Sequence, residues 1–545
     1  MSLTKVRNQM ISGAAANVLD FGAVGDGVTD DTVAIQAWLN YCADNDTVGV
    51  LPKGIYAVNE LETKIPTGIR LMGEGTIRAT GANRFKLARF TQTRGRVEID
   101  GITFDGSNIA ARVVEIQNGN STAFGLGSVW IGPTARFINA KNTAPDTHTS
   151  TALLIRGGLS DFVFEGEVDG VDSTSTSGAS TEGVTVNWFS GDAGDYVRSS
   201  VFTSTTRVRN VKNSNTVTAD ADGIKVFAPV GVVAYMTVEA GALFEECKGR
   251  AIKSQVIGNA IDGPIIRRTL YDGVTEINLQ YSGGYVRGAR VFHDGVQCRW
   301  IIALSQRFGV GYAEHCTISD NELIVVNPPA TLSQAMVATD VSSSAAITQG
   351  LTIRDNKVFG SIQYMTSHRC SNAVDENRIV IDGNWAETIT VAFVNLWNYL
   401  PRGQLSIVFE NNMCGSACAG ANIAAQFDLR VESDRNNYNM TAALPNPYTY
   451  KIAGGLIAPL GETMIRVLSE TTGADDLVTM TGTPYARDEV VTLSNNSASY
   501  NVTVKDGTGN FKLSADCVLA SVNDRLSVSY DGTNWCEISR SINGV

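Results

Sequence analysis

The sequence contains no apolar run of about 18 residues or more, so it offers no segment that would cross a membrane as a helix. Its first residues, MSLTKVRNQMISG, lack the apolar core of a secretory signal peptide, which predicts synthesis in a reducing cytoplasm. Prolines are few, 13 against 53 glycines, which excludes collagen-like and proline-rich chains. Extended helical periodicity is almost absent between residues 96 and 430. That absence disfavours doubly wound and barrel folds, which need helical crossovers.

Charged and metal-binding residues are also scarce. Charged residues make up 18% of the chain, and the net charge of −12 provides no basic footprint for general nucleic-acid binding. The nine cysteines are odd in number and irregularly spaced, so no disulfide framework is expected. The closest pair, Cys414 and Cys418, has no histidine nearby to complete a metal site. We therefore expect no metal, no other cofactor and no nucleic-acid partner.

What the sequence does contain is a long series of short runs rich in Val, Ile and Phe, broken by Gly, Asn and Asp. Three examples are VEIDGITFDG (97–106), TALLIRGG (151–158) and DFVFEGEVDG (161–170). Runs of this length with turn residues between them predict strands. Coils of about 20–30 residues stacked as a solenoid are the simplest architecture for them, and a series of β-sandwiches is the alternative.

Asparagines recur after an apolar residue in the later runs. Asparagine tolerates left-handed backbone angles and bonds its own neighbours, so it suits a tight corner between strands. If the coils stack, these asparagines should also bond one another along the axis. The four positions that the pattern selects are Asn321, Asn356, Asn377 and Asn411.

The stretch Asn17 to Ile35, NVLDFGAVGDGVTDDTVAI, differs from the rest of the chain. Its glycines allow several tight turns, and Thr29 or Asp30 is expected to cap a following helix. The buried face of that helix is predicted to contain apolar residues at three- and four-residue spacing, namely Val33, Ala34, Ala37, Trp38 and Tyr41. Short alternating strands follow in LPKGIYAV (51–58) and GIRLMGEGTIRAT (68–80).

The order DFGAVGDGVTDDTVAIQ, then LPKGIYAV, then LMGEG resembles the N-terminal cap of right-handed parallel β-helix proteins. The chain is especially similar to bacteriophage tailspikes, capsular polysaccharide depolymerases and pectate-lyase-like enzymes. The resemblance implies an all-β fold: a right-handed parallel β-helix, which is a solenoid, with an N-terminal capping helix and a small C-terminal β-sandwich-like domain. The helix would cover the open end of the solenoid, whose first coil otherwise presents unpaired strand edges.

The same resemblance implies a tailspike of the phage virion, a homotrimer that adheres to the host cell and cleaves its surface polysaccharide extracellularly. No membrane insertion is expected. Residues 1–16 are interpreted as an attachment peptide for another tail or baseplate protein, and 17–95 as the cap and first coils. Residues 96–430 are assigned to the catalytic, glycan-binding β-helix and 431–465 to a linker or chain-crossing segment. Residues 466–545 are assigned to a β-domain for trimerisation or carbohydrate binding, ending in a hairpin that turns at Asp531 and Gly532.

Three runs align at a plausible coil length: DGIKVF (222–227), RAIKSQ (250–255) and TEINLQ (275–280). Strict alternation places Ile224, Ile252 and Ile277 inward, with Ile302 another coil along. Two outward columns then form a polar strip that suits a sugar chain, because amides and carboxylates bond hydroxyls and cations meet acidic groups. The first column is Lys225, Lys253 and Asn278, and the second is Phe227, Gln255 and Gln280.

Glycoside hydrolysis needs two carboxyl groups, one as acid and the other as base or nucleophile. Our candidates lie at or just before the starts of the aligned runs, with Asp294 and Glu314 in reserve. DADGIKV is also similar to the Asp-Gly-Ile turn of pectinase-like β-helices, whose nearby aspartates carry hydrolysis, although the Gly-His-Gly of that family is absent here. The candidate catalytic residues are Asp220, Asp222, Glu245, Glu246 and Glu276.

Two other functions stay open. A polysaccharide lyase would use a cation to stabilise a uronate and a basic side chain to abstract a proton, and His293 and His315 join the lysines as candidates. A non-catalytic glycan-binding tail fibre would use the same strip without cleaving the glycan. Aromatic rings add sugar-stacking platforms. The predicted substrate-binding residues are Lys225, Arg250, Lys253, Gln255, Gln280, Trp188, Trp300 and Tyr312.

Overall fold

The structure of the protein is a computed structural model. It describes residues 15–542 except 83, 93, 119–126, 144–148, 176–179, 188–195, 215–219, 230–231, 281–282, 306–310, 313–314, 342–345, 348–349, 371–376, 398–404, 416–420, 426–429, 436, 438–448, 460–463, 472, 483–484, 486 and 498. Across these residues strands dominate, and no helix is long and apolar enough to pass through a bilayer.

A short helical cap lies among the first strands, as the sequence predicts. It consists of a 3-10 helix, Val18–Phe21, and an α-helix, Thr32–Asp44. Trp38 anchors the α-helix, because its ring is buried and its Nε1 donates to the carbonyl oxygen of Ala16 at 2.8 Å. At the start of the helix, Asp30 Oδ1 accepts from the backbone N–H of Thr32 at 2.9 Å.

The buried face of the α-helix differs from the predicted one. Ile35, Leu39 and Cys42 pack inward with Trp38, whereas Val33 is exposed. The N-cap is Asp31 rather than the predicted Thr29 or Asp30, and the buried stripe is shifted by one position along the helix, so Val33 and Ala37 face outward. The loop before it folds around Asp31, whose carboxylate accepts from the backbone N–H groups of the preceding turn.

Three parallel ladders, called face 1, face 2 and face 3 here, form the body of the molecule. Each coil of the chain contributes a strand to each face in turn, so neighbours within a face come from successive coils. This is the β-helix that the sequence predicts. Face 1 consists of Ala16–Asn17, Val48–Leu51, Gly68–Gly73, Arg96–Asp100, Ser128–Ile131, Leu159–Phe164, Val197–Phe202, Tyr235–Val238, Gly258–Asp262, Gly284–Arg287, Cys316–Ser319, Leu351–Arg354, Asn377–Asp382, Leu405–Glu410 and Arg430–Arg435.

Faces 2 and 3 share two long strands, Lys357–Cys370 and Trp385–Trp397, which join them into one sheet. The other strands of face 2 are Asp26–Asp30, Ile55–Val58, Thr76–Ala79, Thr103–Asp105, Arg136–Asn142, Glu167–Ser173, Arg207–Val211, Leu243–Glu245, Ile265–Arg268, Arg290–Asp294, Glu322–Val326 and Met413–Cys414. The other strands of face 3 are Leu61–Lys64, Arg84–Thr91, Ala110–Asn118, Ser150–Gly157, Thr181–Asn187, Ala221–Phe227, Arg250–Gln255, Gly273–Gln280, Cys298–Ser305, Ala335–Val341 and Ala421–Ala425. A separate two-stranded sheet pairs Gly311–Tyr312 with Ala346–Ile347.

The interior of the β-helix is filled by columns of like side chains. Four isoleucines stack in register on successive strands of face 3: Ile224, Ile252, Ile277 and Ile302. This register confirms the alignment that the sequence predicts. All four side chains are fully buried. Each stacked coil therefore buries its apolar column against the next, and hydrophobic burial holds the coils together.

An asparagine ladder runs through the interior of the later coils. Asn321 donates to Asn356 at 2.8 Å, Asn356 to Asn384 at 2.9 Å, Asn384 to Asn412 at 3.0 Å, and Asn412 to Asn437 at 3.3 Å. The predicted bonding between coils is thus present, and Asn321 and Asn356 belong to it. Two predicted members were wrong.

Asn377 begins a strand of face 1, and Asn411 lies at an exposed corner with φ +56° and donates to Asp382. In the ladder their places are taken by Asn384 and Asn412, which are the next turn positions along the chain. At the corner of Asn411 and Asn412 the pattern selected the outward neighbour of the ladder residue, whereas Asn377 lies at the opposite end of the strand that precedes Asn384.

Replacing Asn384 by Ala is expected to lower the free energy of unfolding by about 3 kcal/mol. Its buried amide donates to Ile353 O, Asp382 O and Asn412 and accepts from Asn356, so truncation leaves several buried groups unpaired. Urea denaturation followed by circular dichroism measures the loss. Asn411→Gly is the control, because it removes an exposed amide at a left-handed angle that glycine accepts, and it should change stability by less than about 0.5 kcal/mol. Equal effects of the two variants would contradict a supporting role for the ladder.

The C-terminal region has small sheets and a hydrophobic core of its own around Trp535. Its final strands, Arg525–Tyr530 and Trp535–Ser541, are antiparallel, so the predicted hairpin is confirmed. Thr449–Lys451 and Leu456–Ile457 already belong to this region, so its strands begin before residue 466. The remaining strands are Met464–Leu468, Asp475–Leu477, Thr479–Met480, Val490–Asn495, Val502–Val504, Phe511–Lys512 and Cys517–Leu519.

Candidate functional site

The outward columns predicted for face 3 are present. Lys225, Lys253 and Asn278 lie in register on successive strands, and Phe227 is paired with Gln255 in the next column. Gln255 in turn donates a hydrogen bond to Gln280. These strands come from sequence-distant coils, so the parallel register alone brings the side chains together.

Each strand has two inward positions between its outward ones. Gly223 and Ile224 separate Asp222 from Lys225, and Gly223 leaves room for the next coil. A Cβ at Gly223 would lie 2.6 Å from the carbonyl oxygen of Ala251, which is closer than packed atoms approach. The close approach of the coils at this glycine therefore fixes the position of Asp222.

Six charged side chains form what we call the central charged cluster: Glu182, Asp220, Asp222, Lys225, Arg250 and Lys253. Lys225 Nζ lies 2.5 Å from Glu182 Oε1, and Lys253 Nζ lies 2.6 Å from Asp220 Oδ2. Arg250 Nη1 contacts Asp220 Oδ1 at 2.8 Å and Asp222 Oδ1 at 2.9 Å. Lys253 Nζ also lies 3.7 Å from Asp222 Oδ2.

The lysines are more buried than an exposed strip would have them. The side chains of Lys225 and Lys253 are 11% and 7% exposed. Stacked lysines repel one another, but the three carboxylates of the cluster balance its three cations. Burial of the cluster is thus compatible with its charge, and the lysines of the predicted polar strip are paired with carboxylates.

The pKa values of Asp220 and Asp222 are shifted in opposite directions. Burial alone would raise the pKa of Asp220, but Arg250 and Lys253 outweigh it and hold that pKa well below its usual range. Burial dominates at Asp222, which is fully enclosed, and raises its pKa despite the same two cations. Asp222 Oδ2 also has no hydrogen-bond partner among the described residues. Opposite shifts in neighbouring carboxyl groups are the asymmetry that an acid–base pair requires.

The separation of the two aspartates is also informative. Both Oδ1 atoms contact the same nitrogen of Arg250. The distance between them therefore cannot exceed the sum of the two contact distances. Retaining glycosidases hold their carboxyl groups about 5–5.5 Å apart and inverting ones roughly 6.5–9.5 Å. The shared contacts bring the nearest oxygen atoms of the two aspartates closer together than the separation typical of inverting enzymes.

Three other carboxylates were predicted for this strip and lie elsewhere. Glu276 points into the interior, where Arg268 Nε lies 2.7 Å and His293 Nε2 lies 2.8 Å from its Oε1. Glu245 belongs to face 2 and pairs with Arg267 at 3.2 Å. Glu246 has φ +54° and accepts from the backbone of the next coil, so it shapes a corner.

The reason for the error at Glu276 is the second inward position of each strand. Strict alternation assigned Glu276 to the outward strip, but it stands where Gly223 and Ala251 stand on the preceding coils. Of the reserve carboxylates, Asp294 lies on face 2 and Glu314 lies outside the described residues. His293 is buried beside Glu276, and His315 lies at an exposed corner before a strand of face 1.

The predicted aromatic platforms are only partly on face 3. Trp300 lies on it and packs with Ala303, Ala335 and Ala338, and the guanidinium of Arg299 lies 4.1 Å from its ring. Trp188 lies outside the described residues, and Tyr312 belongs to the separate two-stranded sheet. Face 3 thus passes from charges, through the amides of Gln255, Asn278 and Gln280, to an apolar patch at Trp300.

Sequence reasoning missed Glu182. It lies in register with Asp222 on the preceding strand of face 3, and its carboxylate accepts a hydrogen bond from Lys225. The available signal was the run EGVTV, which matches DGIKV position by position but precedes it by 40 residues. That spacing is longer than the 25–28 residues between the aligned runs, so the match was not made.

Parts of the chain are similar to known proteins. A family model described as rhamnogalacturonase A/epimerase, pectate lyase-like, matches residues 15–219. A non-secreted LysM effector, LysM19 of Penicillium expansum, is 38% identical over 84 residues, which are 14% of this chain and 7% of that protein.

Solved structures similar to the chain include the Dettilon tailspike protein gp208, at 12% identity and TM-score 0.41, covering 72% of this chain and 68% of that one. They also include the tailspike of E. coli bacteriophage HK620 in complex with a pentasaccharide, at 12% identity and TM-score 0.38, covering 90% and 80%. An exopolygalacturonase from Thermotoga maritima has 12% identity and TM-score 0.35, covering 74% and 92%. The stacked parallel ladders form a right-handed parallel β-helix, and its residues 15–219 match the pectate-lyase-like family model.

Proposed function

We propose that this protein is a carbohydrate-active enzyme that binds a polysaccharide along face 3 and hydrolyses it at the central charged cluster. The observation that carries the proposal is the pair Asp220 and Asp222, which share one guanidinium nitrogen and have pKa values shifted in opposite directions. Perturbed carboxyl pairs of this kind mark candidate acid–base sites.

Each aspartate has a distinct role in the proposed reaction. Asp222, whose raised pKa favours the protonated form, donates its proton to the glycosidic oxygen as the bond from C1 to that oxygen breaks. Asp220 stays ionised and attacks C1, which forms a glycosyl ester. Water then attacks C1, and the bond between C1 and Asp220 breaks, which restores the Asp220 carboxylate. Asp222 takes the proton from that water. The net reaction is hydrolysis with retention.

The surrounding cations position the pair. Arg250 and Lys253 lie on the same carboxylates, so one of them must turn aside before the glycosidic oxygen reaches the enclosed Asp222. Asp220 is the accessible member, with a side chain that is 35% exposed. Displacing either cation breaks buried ion pairs, so contacts with the polysaccharide must offset that cost.

Hydrolysis fits the cluster better than elimination. A lyase needs a basic side chain that releases its proton, but neighbouring carboxylates overcome burial and raise the pKa of Lys225 and of Arg250. Both therefore hold their protons more firmly and serve better as electrostatic partners. His293 points into the interior beside Glu276, and His315 lies at an exposed corner before a strand of face 1, so neither belongs to the outward columns of face 3.

We further propose that the polysaccharide is a bacterial capsule, exopolysaccharide or O-antigen and that the protein is a homotrimeric phage tailspike, located in the virion tail. The support is the likeness of DFGAVGDGVTDD, LPKGIYAV and LMGEG to tailspike caps. In this proposal residues 1–16 attach to another tail or baseplate protein, and the C-terminal domain trimerises or binds carbohydrate.

The test is incubation with purified capsular polysaccharides and O-antigens, followed by mass spectrometry of the products. Saturated oligosaccharides made of whole repeat units are expected. Products lighter by one water would establish a lyase instead. A polymer that is retained by the protein but not shortened would leave a glycan-binding fibre and overturn the enzymatic proposal.

A further inference from the structure

The outward column at the ends of the face 3 strands is uncharged beside the central charged cluster. Phe227 is in register with Gln255, and Gln280 is in register with Ser305 on the two following strands. A hydrogen bond from Gln255 to Gln280 joins the two pairs. We call these four residues the amide–aromatic row. It contains one flat apolar ring followed by three neutral hydrogen-bonding side chains.

The amide–aromatic row lies at the opposite end of the strands from the aspartate pair. Asp222 and Phe227 belong to the same strand. At about 3.3 Å per residue, their Cα atoms are about 16 Å apart. A glycan that reaches both residues must cross the face, and the sugar at Phe227 is not one of the two joined by the cleaved bond. Contacts with that sugar therefore stabilise the bound substrate and the transition state equally.

The ring of Phe227 is held in place and is partly exposed. Lys225 Nζ lies over the ring, 4.5 Å from its centroid. The same ammonium is paired with Glu182, so its charge is already compensated. Phe227 is the partly exposed end of a strand that is otherwise buried. A fixed aromatic ring with accessible apolar surface suits the C–H face of a pyranose.

Gln280 and Ser305 present a donor and an acceptor next to each other. Gln280 Oε1 accepts from Gln255, and its Nε2 has no acceptor among the described residues, so it can donate to a ligand. Ser305 Oγ donates to Asn278 Oδ1 at 2.9 Å, which leaves its lone pairs to accept. Both side chains are partly exposed, on strands about 4.8 Å apart. A sugar hydroxyl both donates and accepts, so it matches this pair.

We propose that the amide–aromatic row is a subsite for an uncharged stretch of the polysaccharide. Phe227 stacks on one pyranose ring, and Gln280 and Ser305 bind a hydroxyl of a neighbouring sugar. This inference rests on the proposed binding of a glycan along face 3. An acidic sugar is disfavoured here, because its carboxylate would lose hydration without gaining a free counter-charge. The row therefore selects neutral sugars at a distance from the cleaved bond.

The first test measures cleavage kinetics on the capsular polysaccharide or O-antigen that the protein cleaves. Phe227→Leu keeps an apolar side chain but removes the flat ring, and Gln280→Met keeps the length of the side chain but removes the donor. We expect each variant to raise KM about three- to tenfold, as the loss of one stacking contact or hydrogen bond does. The value of kcat should change by less than about twofold, because the lost binding is uniform. Phe227→Tyr should restore the wild-type KM.

Phe359→Leu is the matched control. Phe359 is a phenylalanine that is 38% exposed, but it pairs with a strand of face 2, so its replacement should leave KM unchanged. Thermal unfolding of every variant should match the wild type, which separates a lost contact from a lost fold. An unchanged KM in both Phe227→Leu and Gln280→Met, or an equal rise in Phe359→Leu, would overturn the subsite.

The neutral character of the bound sugar has its own readout, saturation-transfer difference NMR of oligosaccharides from the same polymer with the Asp220→Asn protein. The ring-proton signals that weaken on adding Phe227→Leu should belong to a neutral sugar, and weakened uronate signals would contradict the assignment. If the wild type binds a polymer without cleaving it and Phe227→Leu weakens that binding in titration calorimetry, the subsite stands and the proposed hydrolysis fails. A protein that binds none of the polymers would overturn both proposals.

Discussion

Asp220→Asn is expected to lower kcat for polysaccharide cleavage by about 10²–10⁴-fold, and Asp222→Asn by a similar factor. Each change removes one of the two carboxyl groups that the proposed reaction uses. The pH profile should also change in a defined direction. Asp220 must be ionised, and Arg250 and Lys253 keep its pKa low, so activity should persist well into the acid range. Asp222 must be protonated, so activity should fall as the pH rises through its raised pKa.

The measurement is initial rate against pH, with reducing ends as the readout, for the wild type and both variants. Asp262→Asn is the matched control, because Asp262 also pairs with an arginine, Arg287, but lies on face 1. It should retain wild-type activity. Wild-type activity in Asp220→Asn would remove Asp220 from the reaction. Loss of activity in Lys253→Met with full activity in both aspartate variants would indicate a lysine-based elimination.

The fold could be predicted from local patterns because a β-helix repeats one simple unit. Short strands between turn residues, the absence of helical periodicity and the spacing of Ile224, Ile252 and Ile277 all describe one coil. The register of the outward columns followed from that alignment, since parallel strands in register place equivalent positions side by side. The sequence also predicted the capping helix, but it did not predict which residues of that helix are buried.

The site was harder to predict because its geometry depends on departures from strict alternation. Two inward positions per strand place Glu276 in the interior, whereas Asp222 keeps an outward position. Glu182 joins the cluster across a 40-residue interval, and nothing local in the sequence marks that distance as one coil. The pairing of cations with carboxylates is likewise a contact between coils. Residue types therefore predicted which kinds of side chain lie on face 3, but only the stacking of coils decides which charges meet.

Glu276→Gln is expected to lower the free energy of unfolding by about 3–5 kcal/mol, because it removes one partner of a buried ion pair. Arg268 and Glu276 are almost completely enclosed, and their atoms lie 2.7 and 2.8 Å apart at two hydrogen bonds. Glutamine keeps the shape of the side chain but leaves the Arg268 charge without a counter-charge. Urea denaturation at neutral pH measures the loss. Glu245→Gln is the control, since its partner Arg267 is exposed and such pairs contribute about 0–1 kcal/mol.

The interactions of Glu276 with Arg268 and His293 predict how stability depends on pH. Burial alone would raise the pKa of Glu276, but Arg268 and His293 outweigh it and lower that pKa from 4.5 to about 2. Because the folded-state pKa lies below the unfolded value, the stabilisation is fully present above pH 4.5 and is lost as the pH falls towards about 2. The contribution amounts to about 3 kcal/mol. Glu276→Gln should therefore show a weaker decline of stability over this interval than the wild type.

A double variant distinguishes the destabilisation caused by an unpaired buried charge from the stabilisation that the ion pair contributes. In the double variant Glu276→Leu with Arg268→Met, both charges are replaced by apolar side chains, and most of the lost stability should return, since buried pairs often contribute no more than well-packed apolar groups. His293 would then lose its acceptor, so recovery should stop short of the wild type. A double variant as unstable as Glu276→Gln would show instead that the ion pair itself stabilises the interior of these coils.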